Sequence, residues 1–303
     1  MTFKKILVAL DGSQNSQIAA EYAFWLASNL QAELAGQHVV DPRLVDLFIE
    51  PEFAEELGFG RSIETSERVF AALRRIGKEI LDLFATEALA RGIKARTFLD
   101  EGYIVEEIVK YADEFDLLIA GHRGRGLHRM PTRLMLGSVA ERIVVESDVP
   151  VLITVQPVQQ VKTVLVAYDG SESARGALLM AENLAKNTDC QLKAMTVISS
   201  PDKKAEAEAL VAEGESYLRE DWPKDVFFIE KGFTAETILD FADRSHSLLV
   251  LGAYGMGGPD RNVLGSTTTQ VVRHTRTSVL VYKPGRAGTR KREERETATK
   301  TSK

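Results

Sequence analysis

The segment GAYGMGGPDRNVLGS, from Gly252 to Ser266, combines residue types that can hold an anion. It begins at the end of an apolar run, SLLVLG, and leads into TTTQVVRHT, which predicts a helix. Glycine has no side chain to keep a ligand away from the backbone, and the first turn of a helix exposes N–H groups at the positive end of its dipole. Together with the hydroxyls of Ser266, Thr267 and Thr268, these features predict a site for a polyphosphate.

The same loop also has a purely structural interpretation, which the residues alone leave open. Ser266 would fit a helix N-cap, and glycines also form turns. Other ligand chemistries are disfavoured: no lysine precedes Ser266 or Thr267, so the Walker form GxxxxGK[ST] is absent, and GxGxxG does not follow the first predicted strand. The metal-ligand spacings CxxC and HExxH are absent as well.

Two aspartates, Asp11 and Asp169, each follow an apolar run and precede Gly-Ser. A carboxylate in this position could accept a hydrogen bond from a ribose hydroxyl or from the amino group of adenine. Asp-Gly-Ser is also a common start of a helix, in which the aspartate serves as a turn or cap residue. Chemistry alone does not separate these two interpretations.

The sequence contains an internal repeat. KKILVALDGSQNS aligns with KTVLVAYDGSESA at an offset of 158 residues, and LGSVAERIV aligns with LGSTTTQVV at an offset of 128. The offset is 130 between GYIVEEIVKYA and GFTAETILDFA, and 131 between DLLIAGHRG and SLLVLGAYG. The fall from 158 to 130 places about 28 extra residues in the first half, around 41–62, and the step from 131 to 128 places three more inside its glycine loop, GHRGRGLHRMPTRLMLGS. The repeat predicts a first domain over 1–157, a second over 158–284, and a charged tail over 285–303 that lacks large apolar residues and is predicted to be disordered.

Each half alternates predicted strands and helices. Apolar residues at helical spacing, among them Ile76, Ile80, Leu83 and Phe84, predict helices that face a core. The strands of the first half are predicted at 4–10, 33–40, 94–99, 116–121 and 149–155. Most are continuous apolar runs, which is typical of parallel strands covered on both faces, so the fold class is α/β with a doubly wound sheet in each half. In such sheets a ligand binds beyond the carboxyl ends of the strands, where both motifs lie.

The net charge, the apolar runs and the cysteine content limit which partners and which cellular location the chain is expected to have. The chain has a net charge of -6, and its tail carries seven basic and three acidic residues, so the remainder has a net charge of -10. An acidic body argues against broad nucleic-acid binding. The apolar runs are too short to span a membrane, and the one after Lys4 and Lys5 predicts a strand rather than a signal peptide. A single cysteine, Cys190, predicts a reducing, cytoplasmic location.

The combined motifs resemble the universal stress protein family in its tandem, two-domain form. Nucleotide-binding members of that family carry an aspartate after the first strand and the pattern G-x2-G-x9-G-[ST]. The second half matches this pattern at Gly252, Gly255, Gly265 and Ser266, and the resemblance covers about residues 3–283. It implies a five-stranded parallel sheet flanked by helices in each half, with the last strands pairing across a pseudo-twofold axis as in a dimer of single-domain proteins.

The resemblance also implies a ligand, ATP or the related ADP or AMP, with Mg²⁺ on its phosphates. Asp169 would meet the adenosine part and Val197 would flank the base or ribose. The phosphates would be surrounded by Gly252, Gly255, Gly265, Ser266 and Thr267.

The first half departs from the family pattern, because twelve residues rather than nine separate its second and third motif glycines. Its corresponding residues are Asp11, Gly121, Gly124, Gly137 and Ser138. The longer loop is also basic, which fits either a different anion or arginines that face solvent and the acidic body. We expect the first half to bind nucleotide less well than the second, or not at all.

The resulting hypothesis is a cytoplasmic stress-response protein that binds an adenine nucleotide in its second half and regulates partner choice or assembly, with at most slow ATP hydrolysis. The tandem chain could itself form a homodimer. One alternative is an interaction scaffold of the same fold that binds no nucleotide. Another is an ATP-hydrolysing or nucleotidyl-transferring enzyme, which would need a catalytic or substrate domain that two matched halves do not provide.

Overall fold

The computed structural model describes residues 3–43, 63–123, 138–220, 222–223, 225–255 and 263–284. In the first half the elements are β1 Lys5–Ala9, α1 Gln14–Leu30, β2 Glu33–Val40, α2 Ile63–Ala90, β3 Ala95–Glu101, α3 Ile104–Ala112, β4 Leu117–Gly121, α4 Ser138–Glu146 and β5 Val151–Thr154. In the second half they are β6 Thr163–Ala167, α5 Glu172–Thr188, β7 Gln191–Ile198, α6 Lys204–Glu215, β8 Phe227–Lys231, α7 Thr234–Arg244, β9 Ser247–Gly252, α8 Ser266–His274 and β10 Val279–Tyr282.

All ten of these strands form one sheet, in the order β3-β2-β1-β4-β5-β10-β9-β6-β7-β8. Neighbouring strands are parallel within each half. The two halves join where β5 and β10 pair antiparallel, with Leu152 opposite Leu280. This pairing confirms the arrangement that the family resemblance implied, and it makes the two five-stranded sheets continuous.

Helices cover both faces of the sheet. On one face α1, α2, α5 and α6 pack on a core that includes Phe24, Phe84 and Leu178. On the other face α3, α4, α7 and α8 pack on a second core that includes Ile108, Ile143 and Val271. Central strands therefore need apolar residues at successive positions, which explains why β1 and β6 are continuous apolar runs rather than alternating ones.

The buried face of α2 differs from the predicted one. Ile76 and Leu83 are 47% and 63% exposed, whereas Phe84 is buried together with Leu81 and Ala88. Gly77 sets this orientation, because a Cβ atom there would lie 2.5 Å from Cδ2 of the His38 imidazole. The missing side chain lets α2 approach the sheet along the Gly77 side and turns Ile76 toward solvent.

The order of strands changes direction between β1 and β4 in the first half and between β6 and β9 in the second. The carboxyl ends of β6 and β9 are therefore neighbours, with Val166 opposite Val250. This is the switch point at which open α/β sheets bind ligands. None of the described helices is long and apolar enough to cross a membrane.

A buried lysine connects the two halves beside the antiparallel strand pair. The Nζ atom of Lys283 donates hydrogen bonds to the carbonyl oxygens of Val145, at 2.6 Å, and of Ser147, at 2.8 Å. These carbonyls lie at the C-terminal end of α4, where a cation and a hydrogen-bond donor are both favourable. Burial lowers the pKa of Lys283 to about 8, and the nearby Asp148 acts in the opposite direction.

Replacing this lysine should weaken the connection between the halves. The substitution Lys283→Met leaves two buried carbonyl groups without their donor, so we expect the free energy of unfolding to fall by about 1–3 kcal/mol. Chemical denaturation at pH 7 measures the change. The control is Arg276→Met, which removes an exposed ion pair with Asp243 at 3.9 Å and should have little effect. Equal effects of both substitutions would contradict the role assigned to Lys283.

Candidate ligand-binding site

A cavity of about 650 Å³ lies at the carboxyl ends of β6, β7 and β9, between the first turns of α7 and α8. Its volume falls within the range that small-molecule ligands occupy, roughly 300–1,000 Å³. The sequence-predicted residues of the second half all line it: Asp169, Val197, Gly252, Gly255, Gly265, Ser266 and Thr267. Their convergence is a property of the structure, whereas their contact with a ligand stays a prediction.

One end of the cavity is formed by the start of α8. Gly265 occupies the N-cap position, and no side chain caps the helix in the described part of the chain. Ser266 is therefore the first helical residue, not the cap that the sequence left open as an alternative. It is exposed, and Thr267 beside it is half-buried. This end thus presents a helix N-terminus and two hydroxyls to the cavity, which suits an anion.

The third predicted hydroxyl has a different role. Thr268 is buried, and its Oγ1 atom donates a hydrogen bond of 2.8 Å to the carbonyl oxygen of Gly252. This bond ties the first turn of α8 to the end of β9. The sequence could not distinguish the three hydroxyls, because successive residues of a helix point in different directions and the rotation of the helix against the sheet decides which of them is buried.

The loop after β9 is also held against the start of α5. The Oγ atom of Ser173 accepts a hydrogen bond from the backbone N–H of Tyr254 at 3.2 Å and donates a short one to the carbonyl oxygen of the same residue. Ser171, whose side chain caps α5, contacts that carbonyl at 3.3 Å. These bonds fix Tyr254, at the start of the loop, without a ligand.

Asp169 has the structural role considered for it, and its carboxylate also faces the cavity. Its Oδ1 atom accepts a hydrogen bond of 3.0 Å from the backbone N–H of Ser171, so the aspartate forms the turn that starts α5. The Oδ2 atom points toward Gly255, where a Cβ atom would lie 3.3 Å away. The side chain is exposed to the cavity, which leaves its carboxylate available for a ligand hydroxyl or amino group.

The three motif glycines serve different purposes. A Cβ atom on Gly252 would lie 2.7 Å from the backbone carbon of Ser173, so this glycine is required for packing. At Gly265 the nearest atom, the backbone nitrogen of Gly255, would be 3.4 Å away, an ordinary contact distance. Gly255 and Gly265 therefore keep side chains out of the cavity, whereas Gly252 permits close contact between β9 and α5.

The other end of the cavity is apolar. Met195 and Val197 on β7 point to the same face of the sheet, and Leu251 on β9 and Ile238 on α7 complete the surface. Thr234, at the start of α7, lies beside them. Except for Val197, the sequence analysis did not identify these residues. Two sequence patterns could have identified them. Met195 and Val197 are two residues apart on a strand, and Thr234 and Ile238 are four residues apart on a helix.

The first half repeats part of this geometry. Asp11 accepts a hydrogen bond of 2.9 Å from the N–H of Ser13, as Asp169 does from Ser171. A Cβ atom on Gly121 would lie 2.7 Å from the backbone carbon of Asn15, which reproduces the packing of Gly252. Ser138 begins α4, the equivalent of α8. The predicted residues Gly124 and Gly137 lie outside the described residues.

Two first-half positions carry polar side chains where the second half has an apolar residue of the lining and a small residue next to Gly252. Gln37 stands where the second half has Met195, and its Nε2 atom donates a hydrogen bond of 2.9 Å to Asp100. His122 stands where the second half has Ala253 and is 6% exposed. Burial, with a smaller contribution from Arg123, lowers the pKa of His122 to about 4, so the imidazole is neutral at pH 7. The first-half motif therefore surrounds a different chemical environment.

Within the described ranges, no group of three His, Cys, Asp or Glu side chains could hold a metal ion. A Mg²⁺ ion at the second-half cavity would therefore take its ligands mainly from the phosphates and water. The oxygen groups of the lining include the hydroxyls of Ser266 and Thr267 and the carboxylate of Asp169, which suit Mg²⁺.

The glycine assignments can be tested without a ligand. Gly252→Ala places a methyl group against the backbone of Ser173, so the chain should lose about 1–3 kcal/mol of unfolding free energy through overpacking. Gly265→Ala has room for its methyl group and should cost less, because its loss is limited to the weaker preference of alanine for the N-cap position. Denaturation curves of the two variants and the wild type provide the comparison. Similar stability of the Gly252→Ala variant and the wild type would show that packing does not require this glycine.

Two segments of the chain, residues 2–155 and 160–283, match the family model described as universal stress protein family. A universal stress protein of Synechocystis is 28% identical over 300 residues, an alignment that covers 92% of this chain and 100% of that protein. A universal stress protein of Mycobacterium tuberculosis is 26% identical over 296 residues and is covered over 96% of its length.

Solved structures show the same fold. The crystal structure of a universal stress protein from Archaeoglobus fulgidus superposes with a TM-score of 0.70 at 25% identity, covering 93% of this chain and 99% of that one. A protein from Pseudomonas aeruginosa described as a universal stress protein gives a TM-score of 0.64 at 18% identity, covering 93% and 94% of the two chains. With both halves matched by the family model, this chain belongs to the universal stress protein family in its tandem form.

Proposed function

We propose that the chain binds ATP or a related adenine nucleotide in its second half and acts as a stress-responsive regulator in the cytoplasm. One observation carries this proposal: the cavity that collects Asp169 and the motif glycines has an uncapped helix N-terminus at one end and an apolar surface at the other. A nucleotide has the same two-part character, with an anionic chain of phosphates and a flat, largely apolar base.

The two ends of the cavity suggest the orientation of the nucleotide. The phosphates would lie against Gly255, Gly265 and the first turn of α8, where the helix dipole and backbone N–H groups favour negative charge. The base would lie between β7 and α7, against Val197 and Ile238. Asp169, at the end of β6, would accept hydrogen bonds from the ribose hydroxyls or from the amino group of adenine.

A regulatory role fits the lining better than fast hydrolysis does. Among the described residues that line the cavity there is no lysine, arginine or histidine to stabilise the charge that develops during phosphoryl transfer. The loop after β9 is tied both to α5, through Ser173, and to α8, through Thr268. A nucleotide on this loop would therefore stabilise three elements together, and a partner or a second copy of the chain could recognise that state.

We further propose that the first domain, over 1–157, binds nucleotide weakly or not at all, and that binding belongs to the second, over 158–284. The amide of Gln37 and the neutral imidazole of His122 replace apolar and small side chains at the corresponding positions. The amide carbonyl oxygen of Gln37 and the Nε2 atom of His122 are buried and have no hydrogen-bond partner in the described structure. These polar groups make the corresponding part of the first half less apolar than that of the second.

The substitution Gly265→Asp tests the proposal directly. The backbone of Gly265, with φ -55° and ψ 149°, suits an aspartate N-cap, so the variant should fold at least as stably as the wild type. Its carboxylate would occupy the N–H groups of α8 and repel the phosphates. Isothermal titration calorimetry with ATP should show micromolar or tighter binding to the wild type and none to the variant.

Matched controls separate charge and position. Gly265→Asn supplies a similar cap without the negative charge and should retain part of the affinity. Gly137→Asp, the corresponding change in the first half, should leave ATP binding unchanged. Titrations with ADP, AMP and cyclic AMP rank the ligands. A wild-type chain that binds none of these nucleotides would refute the proposal and favour an interaction scaffold of the same fold.

A further inference from the structure

An aromatic side chain lies exposed at the edge of the second-half cavity. Phe233 is 80% exposed, and it immediately precedes Thr234, which begins α7 and lines the cavity. Its backbone holds the N-cap position of α7 with φ -79° and ψ 122°, and its side chain makes no capping bond. Neither the fold nor the cap therefore accounts for a large apolar ring at this position.

The equivalent residue of the first half shows what this position can hold. Tyr103 precedes α3 as Phe233 precedes α7, at the repeat offset of 130 residues. The guanidinium carbon of Arg43 lies 4.5 Å from the centroid of the Tyr103 ring. A planar group from beyond the end of β2 thus stacks on the ring in the first half, in the manner of a cation–π contact, and leaves Tyr103 55% exposed compared with 80% for Phe233.

Arg43 is held firmly over that ring. The Asp41 carboxylate accepts hydrogen bonds from the backbone N–H of Arg43 and from its Nε atom, both at 2.9 Å. Asp41 is 4% exposed. Burial alone would raise the pKa of this carboxyl, but the hydrogen bonds and charge of Arg43 lower it below its usual value. The first half therefore supplies its own planar occupant from a fixed ion pair.

The second half has no such occupant built from the same positions. The repeat places Ser199 and Pro201 where the first half has Asp41 and Arg43, and Pro201 begins a short 3₁₀ turn. Neither residue has a planar cationic side chain. Both halves have an aromatic residue at this position, but the second half has no arginine at the position that corresponds to Arg43.

We propose that Phe233 is a stacking platform for the base of a nucleotide bound in the second half, and that Arg43 occupies the corresponding platform of the first half. This inference rests on the proposed function. Thr234, not Phe233 itself, lines the cavity, so the phenyl ring reaches the base by a side-chain rotation, which exposed side chains make within nanoseconds. Thr234 and Ile238 on the same helix line the apolar end, which places the platform beside the base and away from the phosphates.

The platform can be tested by comparing ligands with and without a base. Phe233→Ala should weaken ATP binding about 10-fold, the order expected for loss of one base–aromatic stack. It should leave the affinity for inorganic tripolyphosphate unchanged. Phe233→Tyr keeps the ring and should bind ATP like the wild type. Tyr103→Ala, the matched change in the first half, should also bind ATP like the wild type.

The possible outcomes separate this inference from the proposed nucleotide binding on which it rests. If ATP binds the wild type and the Phe233→Ala variant equally, the platform is refuted and the proposed function stands. If the variant loses ATP and tripolyphosphate affinity alike, Phe233 acts through the fold and the platform is again refuted. If the variant keeps its ATP affinity but loses a protein partner, the ring is a docking residue. A wild type that binds tripolyphosphate but no ATP removes both proposals.

Discussion

Both halves of the molecule depend on a close approach between the end of a central strand and the first turn of the helix that follows the first strand. A glycine makes that approach possible: Gly121 contacts the backbone of Asn15, and Gly252 contacts that of Ser173. A side-chain hydrogen bond then holds the start of the next loop in each half. The Asn15 amide donates to the carbonyl oxygen of Arg123 at 2.9 Å, and the Ser173 hydroxyl donates to the carbonyl oxygen of Tyr254. The position at which each glycine loop begins follows from this contact.

The antiparallel pairing of β5 with β10 turns two such halves into one body with a shared sheet. Strand β10 ends beside the second-half glycine loop. Lys283 directly follows β10, and it caps α4 of the first half. Tyr282 accepts a hydrogen bond of 2.8 Å from the N–H of Ala253, in the loop itself. Because β5 and β10 are antiparallel, the candidate sites at the carboxyl ends of the strands lie at opposite edges of the shared sheet, and their linings differ.

Because their linings differ, the two halves of the tandem chain can have different roles, which the identical subunits of a symmetric dimer cannot. The second half offers an apolar surface and an uncapped helix end, with Met195 and Ile238 near one end and Ser266 at the other. The first half places a buried amide and a neutral imidazole at corresponding positions, and it covers Tyr103 with its own Arg43. These differences support our proposal that the second half binds the ligand and the first half has a structural or interaction role.

Much of this could be predicted from the sequence, because the repeat and the spacing of Gly252, Gly255 and Gly265 report backbone requirements that are local. The sheet and the convergence of Asp169 with the glycine loop followed from the apolar strands. What the sequence missed depends on tertiary contact. Three features depend on how one element is rotated against another: the burial of Thr268, the exposure of Ile76 and the place of Met195 in the lining. The periodicity of apolar residues leaves such a rotation uncertain by about one residue.

The central claim is that one tandem chain has a single strong adenine-nucleotide site, located in its second half. Native mass spectrometry of the purified protein with ATP counts bound nucleotides per chain and identifies them by mass. The account predicts one nucleotide per chain, absent from the Gly265→Asp variant and retained in the Gly137→Asp variant. Two nucleotides per chain, or one that persists in Gly265→Asp and disappears in Gly137→Asp, would contradict it.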